Sequence, residues 1–103
     1  MKFSLCIPMY NEISIIRDTA RTLSDYMQKN FEDYEIIFSN DGSRDGCDRA
    51  VEEMNLPCVS VIGYPDNRGK GYAVRKAMLA AKGDIVMFTD ADLAYGTYVI
   101  KRV

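Results

Sequence analysis

The 103-residue sequence contains no histidine and no tryptophan. Without an imidazole, Ser-His-Asp and Cys-His catalysis and histidine-based metal sites are excluded, which leaves carboxylates, lysine, tyrosine and hard cations as chemistry. Cysteine is scarce: Cys6, Cys47 and Cys58 are odd in number, far apart and form no Cys-x-x-Cys. Each lies in an apolar pattern, so they read as reduced packing residues of a cytosolic protein, not as a disulfide or metal set. No apolar run approaches the roughly 18 residues of a membrane span, and residues 1–20 lack the basic-then-apolar layout of a signal peptide. Strong charge is missing as well. Thirteen basic against fifteen acidic residues give a net charge of −2, with no electrostatic footprint for nucleic acid.

What is present is a single small domain with 48% apolar and 27% charged residues, a globular composition without repeats or low-complexity segments. Short apolar runs alternate with helical patterns. FSLCIP (3–8) reads as a strand with Pro8 as its stop. Ile16, Ala20, Leu23 and Met27 then mark one face of a helix over about 13–30. YEIIFS (34–39) is a second strand, and Cys47, Ala50, Val51 and Met54 outline a short helix ended by Asn55 and Pro57. CVSVIGY (58–64) is a third strand. A helix follows through about Lys82, with Ala73, Val74, Ala77, Met78 and Ala81 inward and Gly83 as its C-cap. DIVMFT (84–89) is a fourth strand, and residues 97–103 are expected to begin another helix. This alternation predicts an α/β fold: a mostly parallel sheet with helices on both faces.

In such sheets ligands bind beyond the carboxyl ends of the strands. Each of the four strands is followed directly by a polar or glycine-rich cluster: PMYNE (8–12), NDGSRDG (40–46), PDNRGKG (65–71) and TDADL (89–93). Parallel topology brings all four to one rim, whereas MQKNFED and NLPC at the other rim look like plain connections. The asymmetry predicts a binding site.

Asp90 and Asp92, two residues apart at a strand end, project to the same side, where two carboxylates suit a hard cation whose shell phosphates and waters complete. The plainer reading is a strand end followed by a helix-capping aspartate; the position on this rim favours the metal. Asp41 ends a strand where its carboxylate can accept from a ribose or a base N–H, while Ser43, Asp45 and Gly46 are accounted for by turn and cap chemistry. NRGKG opens a helix whose N-terminus favours anions. Arg68 and Lys70 there fit solvent as well as phosphate, and the spacing is not that of a P-loop. Tyr10 can pack on a base and Glu12 accept from base or sugar donors, though Glu12 is equally a good N-terminal helix charge. The Gly-x-Gly-x-x-Gly of dinucleotide folds is absent after the first strand.

IPMYNE, SNDGSRDG, NRGKGYAVRKAM and FTDADL, in that order and spacing, resemble the family 2 glycosyltransferases of GT-A fold, whose nucleotide-binding half is Rossmann-like. Among them the chain most resembles the dolichol-phosphate mannose or glucose synthase type. The resemblance implies an inverting transfer of a sugar from a UDP- or GDP-linked donor to an acceptor such as a polyprenyl phosphate, with Mg²⁺ or Mn²⁺. It implies that Pro8, Tyr10 and Glu12 line the nucleobase pocket and Asp41 binds base or ribose. Asp90 would approach ribose and metal, Asp92 would hold the metal against the diphosphate, and Lys70 and Arg68 would lie nearby. The family often has Asp where Asn40 stands, a change that loses a charge but keeps hydrogen bonding. Members are also longer. Residues 1–103 are therefore expected to be an N-terminal, donor-binding portion that binds nucleotide without turnover. The acceptor half and any general base are expected beyond it, and a bare sheet edge is expected to favour self-association. The expected location is cytoplasmic, with a longer parent at the cytoplasmic membrane face.

The rival of another class is a non-catalytic nucleotide-sugar or metal-binding sensor module. A receiver-like signalling domain would carry its acidic pair after the first strand, where this chain has PMYNE. A small α/β protein without a site would make four clusters on one rim a coincidence.

Overall fold

The computed structural model describes residues 1–91 and the backbone of Lys101 and Arg102. Strand β1 (Phe3–Met9) is followed by α1 (Ile16–Asn30), β2 (Tyr34–Asp41), α2 (Cys47–Glu53), β3 (Val59–Tyr64), α3 (Lys70–Ala80), β4 (Ile85–Phe88) and β5 (Lys101–Arg102). The sheet order is β3-β2-β1-β4-β5, with the first four strands parallel.

Alternation along each strand sorts the side chains onto two faces. Leu5, Ile7, Ile36, Phe38 and Met87 share one face and pack with Ile16, Ala20, Leu23 and Met27 of α1 and with Ala50 and Val51 of α2. Cys6 and Ile37 point the other way, where Ala77 of α3 covers them with Met78 and Ala81 at the margin. Ala73 and Ala77 let α3 lie close to the sheet, both fully buried. Removing apolar surface from water at about 25 cal/mol per Å² makes a side chain such as Phe38 or Leu23 worth about 1.5–3 kcal/mol; truncating either to alanine costs about 2–5 kcal/mol.

Several boundaries differ from expectation. Strand β1 runs through Pro8 to Met9. Cys6 turns its carbonyl toward β4, where the Thr89 N–H donates to it at 3.2 Å. Pro8, two residues on, therefore turns its donorless nitrogen to the same side, beyond the last registered pair Cys6–Phe88, and no ladder bond is lost. Helix α1 begins at Ile16, because the Glu12 carbonyl first gathers the Ile15 and Ile16 N–H groups in a turn. Gly83 is not a C-cap: Ala81 ends the helix, and Gly83 is needed where a Cβ would stand 2.5 Å from Ser4 Oγ. Cys6 and Cys47 are buried, free thiols; Cys58 is free too but exposed, in a turn at φ 60° that points it off the apolar pattern. Burial, then the nearby Glu35 charge, pushes the Cys6 thiol up to about 11. The helix expected over 97–103 is not found at Lys101–Arg102. These residues instead pair antiparallel with Phe88 and Met87, so the edge expected to be bare is met there by a short strand. The rest of that expectation lies outside the described residues.

Candidate functional site

Parallel strands place the polar clusters after β1, β2 and β3 at one rim, with Thr89, Asp90 and Ala91 after β4. The loops after β1 and β2 are stitched to each other there. The Asn11 N–H donates to Ser43 Oγ at 2.9 Å, the Arg44 N–H donates to Asn11 Oδ1 at 3.0 Å, and the Ile13 N–H donates to Asp45 Oδ2 at 2.9 Å. Asn11 takes φ 50° to make this exchange, a conformation that asparagine tolerates better than most residues. Burial pushes the Asp45 carboxyl up, but the N–H groups of Ile13 and Cys47 outweigh it and hold the group below its ordinary value.

Asp41 is 3% exposed and accepts from four donors. Tyr64 Oη donates to Oδ1 at 2.6 Å and the Arg68 N–H at 2.8 Å; Asn67 Nδ2 donates to Oδ2 at 2.9 Å and the Gly69 N–H at 3.0 Å. Asp41 and Tyr64 are register partners in β2 and β3, so the strand pairing itself sets their side chains side by side. Gly42 turns the chain away at φ 71°, and a Cβ there would lie 2.5 Å from Asn67 N. The segment after β3 thus rests on the end of β2, held by a carboxylate and admitted by a glycine.

Beyond Gly69 the line of contacts continues. Lys70, the first residue of α3, forms an ion pair through Nζ with Asp90 Oδ1, both side chains more than half exposed. The Arg68 guanidinium lies over the Tyr72 ring at 5.4 Å, and Tyr72 meets the Tyr64 ring edge-on at 4.9 Å. Ala91, between Asp90 and Asp92, is held to α1 by Thr19 Oγ1, which donates to its carbonyl at 2.8 Å.

Of the residues expected at the site, Asp41, Lys70 and Asp90 are brought into one chain of contacts. Tyr10 is 47% exposed at the rim beside them. Glu12 is half-buried, and its carbonyl starts α1. Pro8 is buried within β1 rather than presented at the rim. Asp92 lies outside the described residues. Tyr64, Asn67 and Tyr72 were not anticipated. Tyr64 ends an apolar run and reads as core; only its register with Asp41 reveals its role. Among the described residues no three acidic or thiol groups converge as a metal cluster. Of the expected pair the described residues include Asp90, an exposed carboxylate of the oxygen type that a hard cation takes.

Residues 4–103 match the family model for glycosyl transferase family 2. The bactoprenol glucosyl transferase of Shigella phage SfV is 32% identical over 95 residues, 90% of this chain and 31% of that protein. Among solved structures, S. aureus TarS 1–349 in complex with UDP-GlcNAc superposes with a TM-score of 0.78 at 29% identity, over 89% of this chain and 27% of that one. The mannosyltransferase PcManGT from Pyrobaculum calidifontis, in complex with GDP-Man and Mn²⁺, gives 0.72 at 29% identity, over 87% and 27%. The chain spans about three tenths of the length of the curated relatives it matches. The expected α/β, GT-A type of sheet is the one observed.

Proposed function

This chain belongs to glycosyl transferase family 2, and from that premise we propose that it holds the nucleotide-diphosphate sugar of an inverting hexosyl transfer. The donor, UDP- or GDP-linked, lies across the carboxyl rim. Its base is toward Tyr10 and Glu12, and its ribose toward Asp41 and Asp90. Its diphosphate is toward Lys70, Arg68 and the Asp90–Asp92 pair. The observation that carries this reading is the unbroken line of contacts from Asp41 through Gly69 and Lys70 to Asp90. It runs from the end of β2 to the end of β4, past the end of β1 between them, where Tyr10 is exposed.

Asp90 and Asp92 are the residues that would hold Mg²⁺ or Mn²⁺, which when bound supplies Lewis-acid stabilisation of charge on the diphosphate. Lys70 brings a further positive charge to the same place, and the N-terminus of α3 adds its dipole. An acceptor that is already anionic, such as the polyprenyl phosphate suggested by the bactoprenol relative, attacks sugar C1 opposite the diphosphate and needs little help from a base. None of the residues named here is assigned to the acceptor or to a general base, and the chain by itself binds donor without turnover.

The test is calorimetric titration of UDP and GDP, separately, into the folded chain with Mn²⁺ or Mg²⁺ and again with EDTA, beside an Asp92→Asn variant. Binding of one nucleotide that EDTA and the variant both abolish is expected. A folded chain that binds neither, or binds equally well in EDTA, refutes the donor-site reading.

A further inference from the structure

The segment after β3 brings Arg68 and, at the start of α3, Lys70 to the rim, and its backbone is not held by its own residues alone. Its anchor is Asp41, whose two oxygens are each bonded twice to the segment 64–69. Tyr64 grips that segment in two ways. Its hydroxyl donates to Asp41 Oδ1 at 2.6 Å, on the same oxygen that receives the Arg68 N–H. Its ring abuts Tyr72, and the face of Tyr72 carries the Arg68 guanidinium at 5.4 Å and the Lys76 ammonium at 5.8 Å. One side chain therefore bears on both the backbone and the side chain of Arg68. Burial, then the bond to Asp41, raises the Tyr64 hydroxyl above the usual tyrosine value, so it stays a donor at any physiological pH.

Four donors of the segment 64–69 occupy the carboxylate of Asp41, so beside facing the ribose it holds this loop in shape. We infer that Tyr64 is a positioning residue for the diphosphate of the donor: together with Asp41 it pre-shapes residues 65–69 so that Arg68 and Lys70 face the anion. This deepens the donor-site reading and rests on it. Pre-organising the loop removes an ordering cost that each binding event would otherwise meet.

Two variants test the inference, Tyr64→Phe, which keeps the ring and loses only the hydroxyl, and Asn67→Ala, which removes a second donor from the other oxygen of Asp41. Two measurements are made on each: amide hydrogen exchange in the ligand-free chain, and calorimetry with UDP and GDP in the presence of Mn²⁺. Both variants are expected to speed exchange of the Arg68 and Gly69 amides about tenfold and to weaken nucleotide binding about tenfold, as the loss of one bond to a charged acceptor predicts. The Ile36 and Phe38 amides in β2 should be unmoved, which a general loss of stability would not allow. Unchanged exchange at Arg68 and Gly69 overturns the inference. So does faster exchange with affinity kept within about twofold, because the loop would then be held by Tyr64 without serving recognition. If the unaltered chain binds neither nucleotide, the donor reading falls and takes this inference with it. If it binds and Tyr64→Phe binds as well, the inference alone falls.

Discussion

Strand β2 carries a carboxylate near each end, Glu35 at its start and Asp41 at its finish, and the two rims of the sheet are built alike around them. Each carboxylate accepts from the hydroxyl of its register partner, Ser4 for Glu35 and Tyr64 for Asp41, both at 2.6 Å. Each also gathers backbone N–H groups from the connection lying over it, Lys82 in one case and Arg68 and Gly69 in the other. Each has a glycine where a Cβ would collide with its neighbour at 2.5 Å, Gly83 against Ser4 and Gly42 against Asn67. The difference lies in what the held segment exposes. At the amino rim it is a short link that leads directly into β4. At the carboxyl rim it is a loop that leads into α3 and exposes Arg68 and Lys70, the latter paired with Asp90. A fastening of the same kind joins chain at one rim and mounts a binding surface at the other, so the fastening itself is no sign of function.

Substitutions at the two rims can break the comparison. Asp41→Ala leaves four donors without their acceptor and is expected to cost about 3 kcal/mol, read as a lower urea midpoint at unchanged slope. Gly42→Ala combines a positive φ with a backbone collision and should cost about 2–3 kcal/mol. Gly46→Ala, at φ 86° with nothing within 4 Å, meets strain alone and should cost about 1 kcal/mol in the same assay.

Glu35→Gln keeps an oxygen for both its donors and should cost about 1 kcal/mol, and it sharpens the comparison through pH. Burial pushes the Glu35 carboxyl up, but the Ser4 hydroxyl, the Lys82 N–H and the charges of Lys2 and Lys82 outweigh it and hold the group below its ordinary 4.5. A carboxyl depressed by folding stabilises the chain fully above its ordinary value and loses that contribution as pH falls through the folded one. The urea midpoint should therefore decline as pH drops below 4.5, with Asp45 adding to the decline below its ordinary 3.8, and Glu35→Gln should flatten the first part of the curve. The smallest effect on stability belongs to Tyr10→Ala. At 47% exposure it should move the midpoint by no more than about 0.5 kcal/mol, while weakening nucleotide binding about tenfold if its ring stacks on the base. Equal losses of stability at Tyr10 and Asp41 would erase the distinction between mount and surface.

Much of this organisation is legible in the sequence. The spacing of Ile16, Ala20, Leu23 and Met27 marks the buried face of α1, since helical periodicity survives in sequence; all four are fully buried. That Asp41, Lys70 and Asp90 come near one another is legible because parallel strands send their carboxyl ends to one rim. What stayed hidden depends on registry and close approach. Tyr64 is a strand-end aromatic until it is set opposite Asp41. Gly83 looks like a helix stop until Ser4 is found against it. Cys58 follows an apolar rhythm that a left-handed turn interrupts. Lys101 and Arg102 take a strand because an edge lies waiting for them, a fact about β4 and not about their own residues.

The exchange between the first two rim loops has a consequence for anyone who would redesign them. Asn11, Ser43, Arg44, Ile13 and Asp45 share three hydrogen bonds that cross from one loop to the other and back. Residues 10–13 and 43–45 are in that sense a single spare part. A graft that imports one loop from a relative with a different preference, and leaves the other behind, arrives with its fastenings cut, whereas the pair transplanted together carries its own frame.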